Sequence, residues 1–146
     1  MGSAPQCHFG VYARIRDAGR ILLVHKTRGP YTGLLDLPGG RPEPGETWPQ
    51  TLERELQEEL GLTISATGAF RPFDVHVQQS STGAPIDFHH HGVVLDLALA
   101  SPPAPVTSPD TAGYEWFDLR TGDTTCLSAA VRTVLGRHPP GTVNRQ

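Results

Sequence analysis

The residues of this chain that can do chemistry are concentrated in one stretch. Six of its seven glutamates lie between Glu43 and Glu59, and four of these share a segment that reads as one helix. Within it, Glu55, Glu58 and Glu59 are related by i+3 and i+4, which gathers them on one helical face. Like charges at that spacing each cost about 0.2–0.5 kcal/mol, so a helix selected only for stability would interleave lysines. Hard divalent cations prefer oxygen ligands and turn the same repulsion into a binding site. Arg54 sits one turn before Glu58, where it can hold a carboxylate by a charge-assisted hydrogen bond.

The elements that must position these carboxylates are legible on either side. Thr47 is a good N-cap, Gln50 three residues later completes a capping box, and Pro49 falls in the first turn, where a missing N–H is harmless. Gly61 occurs where a helix end favours a left-handed residue. Leu52, Leu56 and Leu60 recur every four residues and give one apolar stripe. A glutamate run on a helix is ordinarily a solvated face. Here, however, the helix follows Leu37-Pro38-Gly39-Gly40, a glycine pair that lets backbone approach a phosphate or a metal closely. The intervening loop, Arg41 to Gly45, is too rich in proline and glycine for regular structure.

Counted from Gly40, the spacing is G-x5-E-x7-R-E-U-x-E-E-x-G-U with U aliphatic, and Glu46, Arg54, Glu55, Leu56, Glu58, Glu59, Gly61 and Leu62 fill every defined position. Seven fixed identities at roughly 0.07 each would meet by accident on the order of once in 10^8 starting points. This segment is the Nudix box, and the chain resembles the Nudix (MutT-type) hydrolases, which cleave a diphosphate linked to another group. The resemblance covers most of residues 8–135, with the box as its specific part; Tyr114-Glu115-Trp116-Phe117-Asp118-Leu119 is similar to a strand ending of the same family.

What the resemblance implies is an α/β (α+β) fold, a mixed β-sheet sandwiched between helices, with the box as catalytic loop and helix. It carries the metal-ligand role onto Glu55, Glu58 and Glu59, with the carbonyl of Gly39 as a further ligand, for Mg2+ or Mn2+. The implied reaction is attack of a metal-activated water on one phosphorus of a diphosphate. Glu46 and Arg54 then hold the loop against the helix. The general base is open among Glu55, Glu59 and Glu115, the last being the only glutamate outside the Glu43–Glu59 stretch. The alternative is a non-catalytic ligand-binding or regulatory module of the same fold. Such a module is expected to lose box carboxylates, and this chain keeps them all.

Composition agrees with a compact enzyme. A length of 146 residues suits one domain spanning residues 1–146 with a single core. Net charge of −3 and a pI near 6.1 give no sign of a nucleic-acid or membrane partner. The expected partner is a small nucleotide, and the expected state a monomer or homodimer. Cys7 and Cys126 fit no metal spacing and read as reduced thiols of a cytoplasmic protein. The first ten residues lack the basic and apolar regions of a signal peptide.

Along the chain, His8 to Arg16 and Ile21 to Lys26 read as strands joined by a tight turn at Asp17-Ala18-Gly19-Arg20. Thr63 to Ala66 reads as a short strand, Phe70 to Gln79 and Ile86 to Ala100 as a long hairpin, Tyr114 to Leu119 as a last strand, and Leu127 to Leu135 as a second helix. The prolines from Pro102 to Pro109 mark an exposed loop, and the tail from Gly136 is expected to fray. Further candidate contacts to substrate are Arg28 and Arg41 for phosphate and Tyr31, Phe88 and Trp116 for stacking on a base. Strand alternation puts His89 and His91 on one face with Asp87, either as a soft-metal or phosphate contact or as a half-exposed strand edge. Asp74, His76 and Gln78 form the wet face of the neighbouring strand.

Overall fold

The structure, a computed structural model, describes residues 4–104 and 108–136. In chain order its elements are β1 (Pro5–Asp17), β2 (Arg20–Lys26), β3 (Leu35–Asp36), β4 (Gly39–Gly40), α1 (Trp48–Leu60), β5 (Arg71–Gln79), β6 (Pro85–Leu97), β7 (Thr111–Asp118) and α2 (Ala129–Val134), with 3-10 turns at Gly29–Tyr31 and Thr124–Cys126. The strands form one mixed sheet in the order β3-β2-β1-β6-β5, with β4 paired to β1 and β7 to β2. Its spine is the parallel pairing of β1 with β6, from Pro5 opposite Asp87 to Ile15 opposite Leu97.

Period-two alternation decides what each face buries. Val11, Ala13 and Ile15 of β1, Leu22 and Val24 of β2, and Val93 and Leu95 of β6 meet the Leu52–Leu56–Leu60 stripe of α1. The intervening residues Tyr12, Ile21, Leu23 and Val94 face the other way, against Leu127 and against Val131 of α2. Each α1 leucine is fully buried, a contribution of about 1.5–3 kcal/mol apiece. The sheet is therefore sandwiched between helices, as the sequence implied. Among the described residues no helix is long and apolar enough to cross a membrane.

The expected local devices are present. Ala18 (φ 51°) and Gly19 (φ 80°) make a left-handed pair between β1 and β2, the backbone of a two-residue hairpin turn. At the start of α1, Thr47 accepts from the Gln50 N–H while the Gln50 side chain accepts from the Thr47 N–H; Gly61 closes the helix at φ 64°.

Several expectations need correction. Thr63–Ala66 is not a strand: Glu53 reaches from α1 and accepts the Ala66 N–H at 3.0 Å, so a side chain replaces a strand partner there. The hairpin strands begin at Arg71 and end at Leu97. Helix α2 is shorter than Leu127–Leu135, because Ser128 accepts the Val131 N–H as its N-cap. The proline loop is not wholly exposed: Pro103 is buried and its carbonyl accepts from the Tyr114 hydroxyl. Pro105 and the tail beyond Gly136 lie outside the described residues.

Candidate active site

The glycine pair forms the site because β4 is pressed onto β1. Gly39 and Gly40 pair with Tyr12 and Val11, and the Ala13 N–H donates to the Pro38 carbonyl. Gly39 adopts φ 139°, and a Cβ there would stand 2.1 Å from the Val11 carbonyl oxygen. No side chain fits. A Cβ on Gly40 would meet the Glu55 carboxylate at 2.6 Å, so this second glycine makes room for an acid of α1. The freed Gly39 N–H donates to Glu59 Oε1 at 2.7 Å, which ties the strand to the helix.

Arg54 ties the loop in. Its guanidinium grips both oxygens of Glu46, Nε to Oε2 at 2.7 Å and Nη2 to Oε1 at 3.0 Å. It also donates to Glu55 Oε1 at 2.9 Å and to the Arg41 carbonyl at 3.0 Å, with Glu58 at 3.5 Å. This hydrogen bonding holds the Glu46 carboxyl down at about 2. Replacing Arg54 with alanine should lower the melting temperature by several degrees and turnover on the order of a hundredfold, since a loop displaced by 1 Å costs that much. Arg54→Lys should not rescue either loss, because an ammonium lacks the two-pronged donor. Parallel thermal melts and steady-state kinetics would check both.

The three acids differ in setting. Glu58 is exposed, Glu55 half-buried and Glu59 buried at 5% exposure. Burial pushes the Glu55 carboxyl from its ordinary 4.5 up to about 7, against the pull of Arg54. Glu59 is raised well above the usual carboxylate range, first by burial and then by Glu55. Arg54 is largely spent on Glu46, so these carboxylates crowd together with too little positive charge. Such a set of oxygen donors fits a hard dication.

From the acids the cleft continues along β1. A cavity of about 600 Å3 over the box shares His8, Tyr12, Lys26, Asp36, Arg41 and Asp110 with a second of about 560 Å3 that ends at Tyr31, Phe88 and His90. The two are one cleft. Lys26 and Arg41 have no carboxylate partner among the described residues, while Arg28 lies 3.5 Å from Asp110. At the far end His90 is buried between two phenols, its Nε2 2.7 Å from the Tyr12 hydroxyl and its Nδ1 2.8 Å from that of Tyr31. Burial lowers His90 to about 3, and burial with Arg41 and Lys26 nearby lowers His8 to about 4. Both imidazoles are therefore neutral at physiological pH, and this floor is polar but uncharged.

The structure thus brings Glu46, Arg54, Glu55, Glu58, Glu59, Gly39, Arg28, Arg41, Tyr31 and Phe88 to one cleft. It does not bring the rest. Glu115 lies beside His25 on β7 at 3.3 Å and does not line the cleft. Trp116 packs against the α1-side core under Arg20. His89 and His91 point to the α1 side of the sheet, His89 beside Asp87 and His91 against Cys7 and Phe9. The middle histidine, His90, is the one that reaches the cleft. Sequence reading missed His8, Tyr12, Lys26, Asp36 and His90. A signal existed only for Asp36, a lone acid inside Leu34-Leu35-Asp36-Leu37, which proves to be buried and to accept from the Ser128 hydroxyl at 2.7 Å.

The sequence model of the NUDIX domain matches residues 5–132, and the chain belongs to the NUDIX domain family. Among curated proteins, nucleoside triphosphatase NudI of Enterobacter sp. (strain 638) is 33% identical over 93 residues, 60% of this chain and 65% of that protein. The ADP-ribose pyrophosphatase of Methanocaldococcus jannaschii is 42% identical over 48 residues, 33% of this chain and 28% of the relative. The chain thus matches less than two thirds of the length of either. Among solved structures, a MutT NUDIX hydrolase from Burkholderia pseudomallei is similar at a TM-score of 0.65 and 26% identity, covering 90% of this chain and 98% of the other.

Proposed function

We propose that this chain is a divalent-cation-dependent pyrophosphohydrolase acting on a nucleoside diphosphate linked to another moiety. One observation carries the reading: an undercompensated cluster of three carboxylates opens into the same cleft as two cations without ion-pair partners among the described residues and an aromatic end wall. Glu55, Glu58 and Glu59, with the Gly39 carbonyl, would hold Mg2+ or Mn2+. When bound, such a cation lowers the pKa of a water and neutralises phosphate oxygens.

The remaining roles belong to the chain itself. Lys26 and Arg41, with Arg28 beyond them, offer charge to the phosphates along the cleft. Tyr31 and Phe88, in edge contact at 5.9 Å, offer a wall for a base. Arg54 and Glu46 keep the loop in register with the helix. With Glu115 outside the cleft, a box carboxylate would take the proton. Glu55 and Glu59 are the two candidates, and whichever of them is less engaged by the cation would accept it.

The experiment is a hydrolysis panel of ordinary and oxidised nucleoside triphosphates, ADP-ribose, nucleotide sugars and dinucleoside polyphosphates, with product identification. The names of the two curated relatives put triphosphates and ADP-ribose first. Cleavage of at least one compound with Mg2+ or Mn2+, and none in excess chelator, is the expected result. Full activity in chelator would sink the reading. Binding without turnover across the panel would favour a ligand-binding module.

A further inference from the structure

Strand β6 carries three consecutive histidines, and the cleft uses only the middle one. On the opposite face of the sheet His89 stands directly across from His76 of β5. Their rings stack with centroids 4.1 Å apart and planes 13° from parallel. Both Nε2 atoms converge on one oxygen: Asp87 Oδ1 is 2.7 Å from His76 and 3.1 Å from His89. One potential ligand atom from each of the three lies within 4.8 Å of the others.

The location of Asp87 follows from an irregularity in the pairing. Between Val77 opposite Phe88 and Gln79 opposite Pro85 the register shifts, so that Ile86 and Asp87 both stand against Gln78. A bulge of this kind bends a strand and re-aims a side chain. Here it coincides with the acid that both imidazoles meet. All three side chains sit on strand backbone, and their exposures of 43%, 34% and 48% leave them open to solution.

We propose that His76, Asp87 and His89 form a second metal site, separate from the glutamate cluster, for a borderline transition metal of the Zn2+ class. Two imidazoles and a carboxylate are a donor set for such a metal, with water free to complete the shell. Donors holding bonds of about 2.0–2.1 Å in a tetrahedron lie about 3.4 Å apart, so the Nε2–Oδ1 spacings of 2.7 and 3.1 Å need only open slightly, by side-chain rotation, to admit the ion. On binding, the hydrogen bonds to Asp87 give way to metal bonds; each Nε2 proton is lost to solvent or moves to Nδ1, so that a neutral imidazole with its proton on Nδ1 is the ligand. Imidazole is a poor ligand for Mg2+, so the two sites sort cations by hardness. The metal would clamp β5 to β6 beside the bulge, on the face opposite the cleft.

The test uses full-length protein without a histidine tag, titrated with Zn2+ in millimolar Mg2+ against a chromophoric chelator. One equivalent of Zn2+ should bind in the parent and in the Glu58→Gln/Glu59→Gln background. Even outer partners of metal ligands cost about 10–100-fold when removed, so His76→Gln and His89→Gln should each weaken Zn2+ at least tenfold. Asp87→Asn, which keeps the side-chain shape, should weaken it too. Co2+ in place of Zn2+ should give a visible absorption band lost in the same variants. Equal Zn2+ affinity in parent and His76→Gln/His89→Gln would overturn the proposal, as would Zn2+ uptake lost only with the glutamate pair. Absence of Zn2+ uptake by the parent would do the same, and would leave a hydrogen-bonded His–Asp–His row on a wet strand face.

Discussion

Glu58→Gln is expected to cut cation-dependent turnover by about 10^2–10^4-fold with the fold unchanged, since a bound cation supplies several kcal/mol of charge stabilisation and each factor of ten is about 1.4 kcal/mol. Its carboxylate is exposed and, among the described residues, its only tie is a long one to Arg54, so little structure depends on it. Glu59→Gln is expected to lose turnover to a similar extent but to differ in stability. Glu59 is buried, accepts the Gly39 N–H and is ionised only at a cost. A neutral isostere that still accepts that bond should leave the cation-free protein as stable as the parent or more so. Melts in chelator alongside kinetics in Mg2+ and Mn2+ separate the two variants. Near-parental turnover of either at limiting cation would remove it from the ligand set.

The second large effect is on stability. A ligand that binds only the folded state at a hundredfold excess over Kd contributes about 2.7 kcal/mol, which in a chain of this size is about 5–10 °C. Millimolar Mg2+ or Mn2+ should raise the melting temperature by that order, and Glu58→Gln with Glu59→Gln should abolish the rise. The pH dependence has a definite sign. In the cation-free protein Glu55 titrates higher folded than unfolded, so its contribution favours the folded state at low pH and is lost as pH rises from 4.5 through about 7. The cation removes that loss, so its stabilising effect should be larger at pH 8 than at pH 6. An equal rise in the double variant would locate the stabilising cation elsewhere.

Legibility from sequence tracked the range of the interactions. The box, the Thr47–Gln50 capping box, the Gly61 helix end and the Ala18-Gly19 turn all depend on residues within a few positions of one another. Each is present as expected. The strand parity around His89 was also readable, since alternation is local. What it could not reveal was the direction of the cleft. That depends on β1 lying beside β6, which puts His8, Tyr12 and His90 together across the width of the sheet. The same distance hid the partner of His89, which proved to be His76 rather than His91. Thr63–Ala66 misled because Thr63 and Ile64 are β-branched like strand residues, whereas the segment is held at the Ala66 N–H by the Glu53 side chain, a contact without sequence periodicity.

The parallel spine has a consequence for how the molecule comes into being. Residues in contact across β1 and β6, such as Arg14 and Asp96, are separated by 82 positions, so the first strand made must wait for nearly the last. Closing so long a loop precedes any reward from the pairing, and folding dominated by such contacts is slow. Until β6 arrives, β1 offers an apolar edge to other chains, a hazard for a nascent protein. The glutamate helix can coil early from local signals alone. The strand that receives it, and with it the opening between acids and aromatics, exists only after β1 and β6 have met.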